Sequence, residues 1–169
     1  MATVPDSKSV SSKDTPAPAV SRPLQLVLFS NIQLLDAEFT ESAQIVPGTT
    51  RTFVGNEPAY APDVIWKGGI SFRKERCFNL TLSGVYVSDQ FWQDSNTALL
   101  TAGVVTVPAV IPSYKVFNFS SEWYLTKNVR LIAGISNLFD EKYYSRAFLT
   151  GLIDPAPSRT GYAGISIEF

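Results

Sequence analysis

There is no histidine in these 169 residues and only one cysteine, Cys77. The first absence removes His-dependent catalytic triads and most zinc sites. The second removes an internal disulfide framework and leaves Cys77 as an incidental residue at a strand end. No run of about 18 apolar residues occurs, so no membrane-spanning helix is expected. Charge of one sign is lacking too. The 14 Lys and Arg stand against 15 Asp and Glu, which leaves no basic footprint for nucleic acid. The glycines show no phosphate-cradling spacing, and the acidic residues are scattered. The chain therefore reads as a non-enzyme without a cofactor. Asn79-Leu80-Thr81 and Asn118-Phe119-Ser120 fit the glycosylation pattern by accident, because both fall in strands.

What is present is alternation. Residues 1–23 are the exception: Met1 to Arg22 is Ser, Lys, Asp, Thr and Pro, without the basic-then-apolar layout of a secretory signal. This composition buries too little apolar surface to offset its ordering entropy and reads as a disordered tail. From Leu24 to Phe169 the period is two, and about six strands are expected, near 24–39, 63–73, 77–91, 114–125, 129–138 and at the C-terminus. The second puts Val64, Trp66, Ile70 and Phe72 on one face, with Lys67, Ser71 and Arg73 opposite. The third sets Phe78, Leu80, Leu82 and Tyr86 against Asn79, Thr81 and Ser83. The fourth sets Phe117, Phe119, Trp123 and Leu125 against Asn118, Ser120 and Glu122. The fifth sets Val129, Leu131, Ala133 and Ile135 against Arg130, Gly134 and Ser136. The first strand has ambiguous parity, with Leu24, Leu26 and Leu28 on one face and Leu35, Ala37 and Phe39 on the other.

The connections alternate in length. Those near 40–62, 92–113 and 139–157 are long, whereas Lys74-Glu75-Arg76 and Thr126-Lys127-Asn128 are short. Outer-membrane barrels have short periplasmic turns and long extracellular loops, and soluble sandwiches have no physical reason for the asymmetry. Trp66, Trp92, Trp123 and Tyr residues such as Tyr60 and Tyr114 cluster near strand ends, as aromatic girdles do. The expected fold is all-β: an antiparallel meander of about six strands, a segment of a transmembrane β-barrel.

The terminal strand puts Ala163, Ile165, Ile167 and Phe169 on one face and Tyr162, Gly164, Ser166 and Glu168 on the other. Its spacing Tyr162-x-Gly164-x-x-Ile167-x-Phe169 resembles the C-terminal signal by which outer-membrane barrels are recognised for assembly. Upstream, Asn137-Leu138-Phe139-Asp140-Glu141-Lys142-Tyr143-Tyr144, then Pro157-Ser158-Arg159, resembles the penultimate-strand motif of TonB-dependent outer-membrane receptors. Family members usually carry Gly where Ser158 stands. Gly55-Asn56-Glu57-Pro58-Ala59-Tyr60-Ala61-Pro62 and Tyr86-Val87-Ser88-Asp89-Gln90-Phe91 also resemble late-barrel segments, most like the ferric-citrate branch. The resemblance covers 24–169.

The resemblance implies a Gram-negative outer-membrane location, assembly by the barrel assembly machinery, contact with outer-membrane lipid, and uptake of a ferric siderophore or ferric citrate. It implies energy from TonB through a plug domain with no counterpart in this sequence. Six strands do not close a membrane barrel, since single-chain barrels start at about eight. The expectation is a truncated or fragmentary receptor, with assembly from several chains as a second explanation. No ligand-binding residues are assigned; Arg51, on the first long connection, has the charge to meet an anionic chelate, and charge alone suggests it. Two other readings stay open: a soluble or surface β-domain that binds carbohydrate or protein through loop aromatics, and a non-functional remnant.

Overall fold

The computed structural model describes residues 23–41, 43–46, 49–101, 105–147 and 153–169; the side chains of 43–51, 99–101 and 105–107 are not described. The expected tail of residues 1–23 falls almost wholly outside this range, and so does the side chain of Arg51. Among the described residues no helix is long and apolar enough to cross a membrane, which says nothing against crossing by strands.

In chain order the strands are β1 (Gln25–Leu34), β2 (Ala43–Val46), β3 (Thr49–Thr52), β4 (Val64–Lys74), β5 (Phe78–Val87), β6 (Gln90–Phe91), β7 (Leu99–Thr101), β8 (Val105–Val107), β9 (Val110–Ile111), β10 (Tyr114–Tyr124), β11 (Val129–Ser136), β12 (Tyr144–Ala147), β13 (Ile153–Pro155) and β14 (Thr160–Ile167). Six of them form one antiparallel sheet in the order β1-β4-β5-β10-β11-β14, which is the expected meander. The terminal strand pairs with β11, and β1 and β14 are the sheet's two edges. Tight turns at 75–77 and 125–128 close one end. At the other end the three long connections carry the remaining strands as small hairpins, which strand-length alternation alone does not reveal.

The register sorts the side chains into two faces, because directly paired residues point the same way. Across β1 and β4, Leu26 faces Phe72, Leu28 faces Ile70 and Ile32 faces Trp66. The same row system continues through Leu82, Phe119 and Ile135, and through Phe78, Trp123, Leu131 and Ile165. This settles the parity of β1: Leu26, Leu28, Ile32 and Leu34 join the apolar face. The opposite face carries Gln25, Arg73, Asn79 and Glu122 in one continuous row, with Ser71, Thr81 and Ser120 in the next. There Arg73 Nε donates to Gln25 Oε1 at 2.8 Å, and the Ser71 and Thr81 hydroxyls lie 2.7 Å apart.

Among the described residues nothing packs on the apolar face. Leu28 is 72% exposed and Ile165 66%, and the buried hydrophobic residues among those described are only Val87, Trp92, Ile111 and Ala147. Trp66, Ile70, Phe117 and Phe119 are half-buried by neighbours within their own face rather than by a second layer. Three aromatic rings lie over glycines that are their register partners: Phe29 over Gly69, Phe117 over Gly84 and Tyr162 over Gly134. A Cβ at Gly134 would collide with the Tyr162 ring. Each pair therefore fits in one register only, which is how aromatic cover over strand glycines pins pairing.

Two strands are shorter than the alternation implies. The pairing of β1 ends at Leu34; Leu35 N still donates to Asp63 O, and the chain then enters the first long connection. The strand expected over 77–91 ends at Val87. Ser88 accepts from Val64 N through its hydroxyl and donates its own N–H to Val64 O, which closes the ladder. Gln90–Phe91 then pair with Val110–Ile111 in a separate hairpin.

Single-tryptophan variants test this placement. In lipid vesicles with brominated acyl chains, the fluorescence of Trp66 and Trp123 is expected to be quenched strongly and that of Trp92 little. Equal quenching of all three would contradict a lipid-covered face.

Candidate functional site

The long connections, 35–63, 88–113 and 137–159, meet at one end of the sheet. Their meeting place holds the buried cluster among the described residues: Trp92 (4% exposed), Ile111 (1%) and Ala147, with Tyr144 packed against it. Trp92 follows β6, Ile111 ends β9 and Ala147 ends β12, so two of the connections supply the cluster. The first connection joins through Tyr60. Its N–H donates to Phe91 O at 2.8 Å, and its hydroxyl donates to Ala147 O at 3.0 Å. Asn56 Nδ2 donates to Asp94 O at 2.8 Å, and Ala59 N to Asp94 Oδ1 at 2.9 Å. The segment Gly55 to Pro62, singled out in the sequence, is thus the junction that ties the first connection to the other two. Sequence reasoning missed Asp94, Ile111 and Ala147; each is one short or common residue outside any alternating run.

The motif residues from Asn137 to Arg159 converge at the root of the third connection. Asn137 and Asp140 both adopt positive φ, 52° and 56°, which Asn and Asp tolerate better than most residues. Asn137 is buried and its amide is fully used: Oδ1 accepts from Glu141 N at 2.8 Å, and Nδ2 donates to Glu141 O at 2.9 Å and to Pro157 O at 3.3 Å. Asp140 Oδ1 accepts from Arg159 N at 2.8 Å, and its Oδ2 lies 3.0 Å from Lys142 Nζ. Lys142 also donates to the Ser158 hydroxyl at 3.2 Å. These bonds hold the outgoing and returning limbs of the connection together.

The same turn straddles the wall. Leu138 N donates to Phe117 O, and Phe139, 70% exposed, meets Phe117 edge-on at 5.5 Å on the apolar side. Tyr143 crosses to the polar side and stacks on Tyr114 at 4.3 Å. Tyr144 joins the buried cluster. The structure thus brings Asn137, Leu138, Phe139, Asp140, Tyr143, Tyr144 and the backbone of Arg159 together. The residues of the expected assembly signal lie apart from them along β14 and beyond. Ile165 and Ile167 are exposed on the apolar side, Tyr162 and Gly164 are on the polar side, and Phe169 lies exposed beyond the end of the ladder.

Acidity gathers at the root of the first connection, where Asp36, Glu38, Glu57 and Asp63 line one cleft. Burial pushes the Glu57 carboxyl up, and Asp63, Asp89, Glu38 and Asp36 add to the rise. Asp140 shifts the other way: the Arg159 N–H holds its carboxyl below the usual value, helped by Lys142. Among the described residues no group of His, Cys, Asp and Glu is arranged to hold a metal ion.

Two outcomes follow from the root of the third connection. Asn137→Ala leaves the Glu141 and Pro157 backbone groups without their partner and is expected to cost about 2 kcal/mol, read as faster amide exchange across 137–159. Asp140 has a lowered folded pKa, so its contribution is present above the ordinary value of 3.8 and is lost as the pH falls through the folded value. The Arg159 amide resonance should titrate in that acid range, and Asp140→Asn should abolish the transition.

No family model matches the chain. Solved structures do. The siderophore receptor PiuA from Acinetobacter baumannii superposes with a TM-score of 0.69 at 18% identity, over 84% of this chain and 19% of its own length. The ferric yersiniabactin uptake receptor FyuA from Yersinia pestis gives 0.66 at 16% identity, over 85% of this chain and 21% of its own. The ferric citrate transporter FecA gives 0.58 at 21% identity, over 71% of this chain and 19% of its own. Identity ranks FecA above PiuA and superposition ranks them the other way, so the likeness is to the shared wall rather than to one ligand branch. The chain spans about a fifth of the length of these proteins, and its fold is that of a barrel-wall segment of siderophore and ferric citrate receptors.

Proposed function

We propose that the chain is the C-terminal barrel segment of a TonB-dependent receptor in a Gram-negative outer membrane, serving uptake of a ferric siderophore or ferric citrate. The observation that carries this is the apolar face, continuous in register through six strands and covered by no second layer among the described residues. In water such a face would exceed what soluble monomers expose; in a bilayer, lipid covers it and the polar face lines a wet lumen. A soluble carbohydrate- or protein-binding β-domain would have to bury it.

The order of the motif supports the same reading: Asn137 to Tyr144, then Arg159, then the terminal strand, in a fold matched by siderophore receptors. In this reading the 75–77 and 125–128 turns are periplasmic and the connection cluster around Trp92 is extracellular. Further strands complete the wall at the β1 and β14 edges. Capture of a ferric chelate and coupling to TonB through a plug are properties of the complete receptor. The acidic cleft around Glu57 makes the base of the first connection a poor place for an anionic chelate, so its contacts lie elsewhere on the mouth.

The test is assembly. A complete receptor carrying residues 24–169 as its C-terminal portion should reach the outer membrane and support growth on ferric chelates. Phe169→Asp removes roughly 2 kcal/mol of apolar burial and sets a charge beside the lipid boundary, so insertion by the barrel assembly machinery should fall sharply. Phe117→Asp, on the same face but away from the terminal strand, should lower the unfolding temperature of the inserted barrel more than its yield. Unchanged insertion of Phe169→Asp would mean that the terminal strand is not an assembly signal.

A further inference from the structure

Two different constraints set the pairing of the sheet's strands. β4 with β5 and β10 with β11 are joined by the tight turns at 75–77 and 125–128. Turns that short admit one pairing of their flanking strands. β1 with β4, β5 with β10 and β11 with β14 are joined by the long connections 35–63, 88–113 and 137–159. A long loop closes on neighbouring registers at nearly the same entropic cost. Alternation does not choose among them, because a slip of two residues leaves every side chain on its own face. Slipped one way, β1 would set Leu28 against Phe72 and Leu34 against Trp66; slipped the other, Leu26 against Ile70 and Ile32 against Val64. Apolar groups meet apolar groups in both.

The aromatic–glycine partners fall on these three interfaces and, among the described residues of the sheet, on no other. Phe29 lies over Gly69 between β1 and β4, Phe117 over Gly84 between β5 and β10, and Tyr162 over Gly134 between β11 and β14. In the tight-turn hairpins Gly68 pairs with Gly84, Gly69 with Ser83 and Gly134 with Ser120, so no ring stands opposite a glycine there. Trp66 leans over Gly68 of its own strand and meets Gly84 only at ordinary contact distance. A slip of two would put Phe29 on Lys67 or Ser71, Phe117 on Leu82 or Tyr86, and Tyr162 on Ile132 or Ser136. Each of those residues has a side chain where the ring now lies. An added Cβ at Gly69, Gly84 or Gly134 already comes closer than 3.0 Å to a ring atom.

We infer that the three ring–glycine pairs are register locks for the strand pairs that no tight turn aligns, excluding the two-residue slips that alternation permits. At the third interface the Asn137 and Asp140 bonds at the root share the task. The root of the first connection is spanned by the Leu35 N to Asp63 O backbone bond, so Phe29 on Gly69 is where a lock is read most directly. The register of each pair also sets the stagger of the wall, so one slipped interface would put the sheet's edges out of step with the strands that meet them. The inference concerns pairing within the sheet and stands or falls apart from the receptor reading.

Disulfide capture tests it, in a Cys77→Ser background and in membranes from cells that make the full chain. Asn31→Cys with Lys67→Cys reports the native pairing of β1 with β4; Asn31→Cys with Ile65→Cys and Gln33→Cys with Lys67→Cys report slips of two in either direction. Mild oxidation and peptide mass analysis give the ratio of native to slipped bridges. Phe29→Ala should lower that ratio about fivefold, and Phe29→Tyr, which keeps the ring, should retain it. Tyr162→Ala gives a second reading through Ile132→Cys with Gly164→Cys, against Arg130→Cys with Gly164→Cys. A cysteine fits at Gly164, where an added Cβ meets nothing within 4 Å. Trp123→Ala, in a tight-turn hairpin, should leave the bridge between Glu122→Cys and Ile132→Cys unchanged. An undiminished ratio in whichever of the Phe29 and Tyr162 alanine variants folds, a fall in Phe29→Tyr, or an equal shift in Trp123→Ala would overturn the inference.

Discussion

Cross-strand backbone pairing from β1 through β14 is what every other feature hangs on. It supplies the hydrogen bonds that a chain in hydrocarbon cannot obtain from water, and it aligns the apolar side chains of six strands into one surface. With so little of that surface buried by the protein itself, the sheet is held together by its ladders, by same-face neighbours and by the environment that covers it. The aromatic rings over Gly69, Gly84 and Gly134 then fix the register on which the facing depends. A slip of one residue would move every Leu, Ile and Phe to the wet side. The same dependence explains the cost of the two edges, since unpaired N–H and C=O groups at β1 and β14 have to be met by further strands.

The interior of this protein is in its connections. In a soluble domain the core lies beneath the sheet and the loops ride over it. Here Trp92, Ile111 and Ala147 close a small core beyond the strand ends, and Tyr60 joins the first connection to it through hydrogen bonds on both sides. Long connections at a barrel mouth have no sheet face to settle on, so they bury apolar side chains against one another. This ties the described parts of the three connections to one another, where independent loops would share no contact.

Much of the wall was legible in the sequence because its signal is local. Period-two alternation in 63–73 or 114–125 states the strand, its length and its facing at once, and contrasting connection lengths state the order. Parity in the first strand was not legible, since Leu24 to Phe39 contains two apolar rows out of phase; only pairing with β4 shows that the second row lies beyond the strand. The mouth was illegible for a different reason. Its contacts join residues such as Tyr60 and Ala147, 87 positions apart, and no periodicity marks them. The Asn137 to Tyr144 motif lay between these cases: its residues stood out as a resemblance, but its work as a clamp at the base of a connection needed the hydrogen bonds to be seen.

That clamp has a consequence for variation. Asn137, Asp140 and Lys142 hold the two limbs of the third connection together where it leaves the wall and returns to it, so the pairing of β11 with β14 is secured at the root. Substitutions further out along that connection then leave the register of the wall intact. A lineage carrying this root can alter what the connection presents without having to re-establish the strand pairing beneath it.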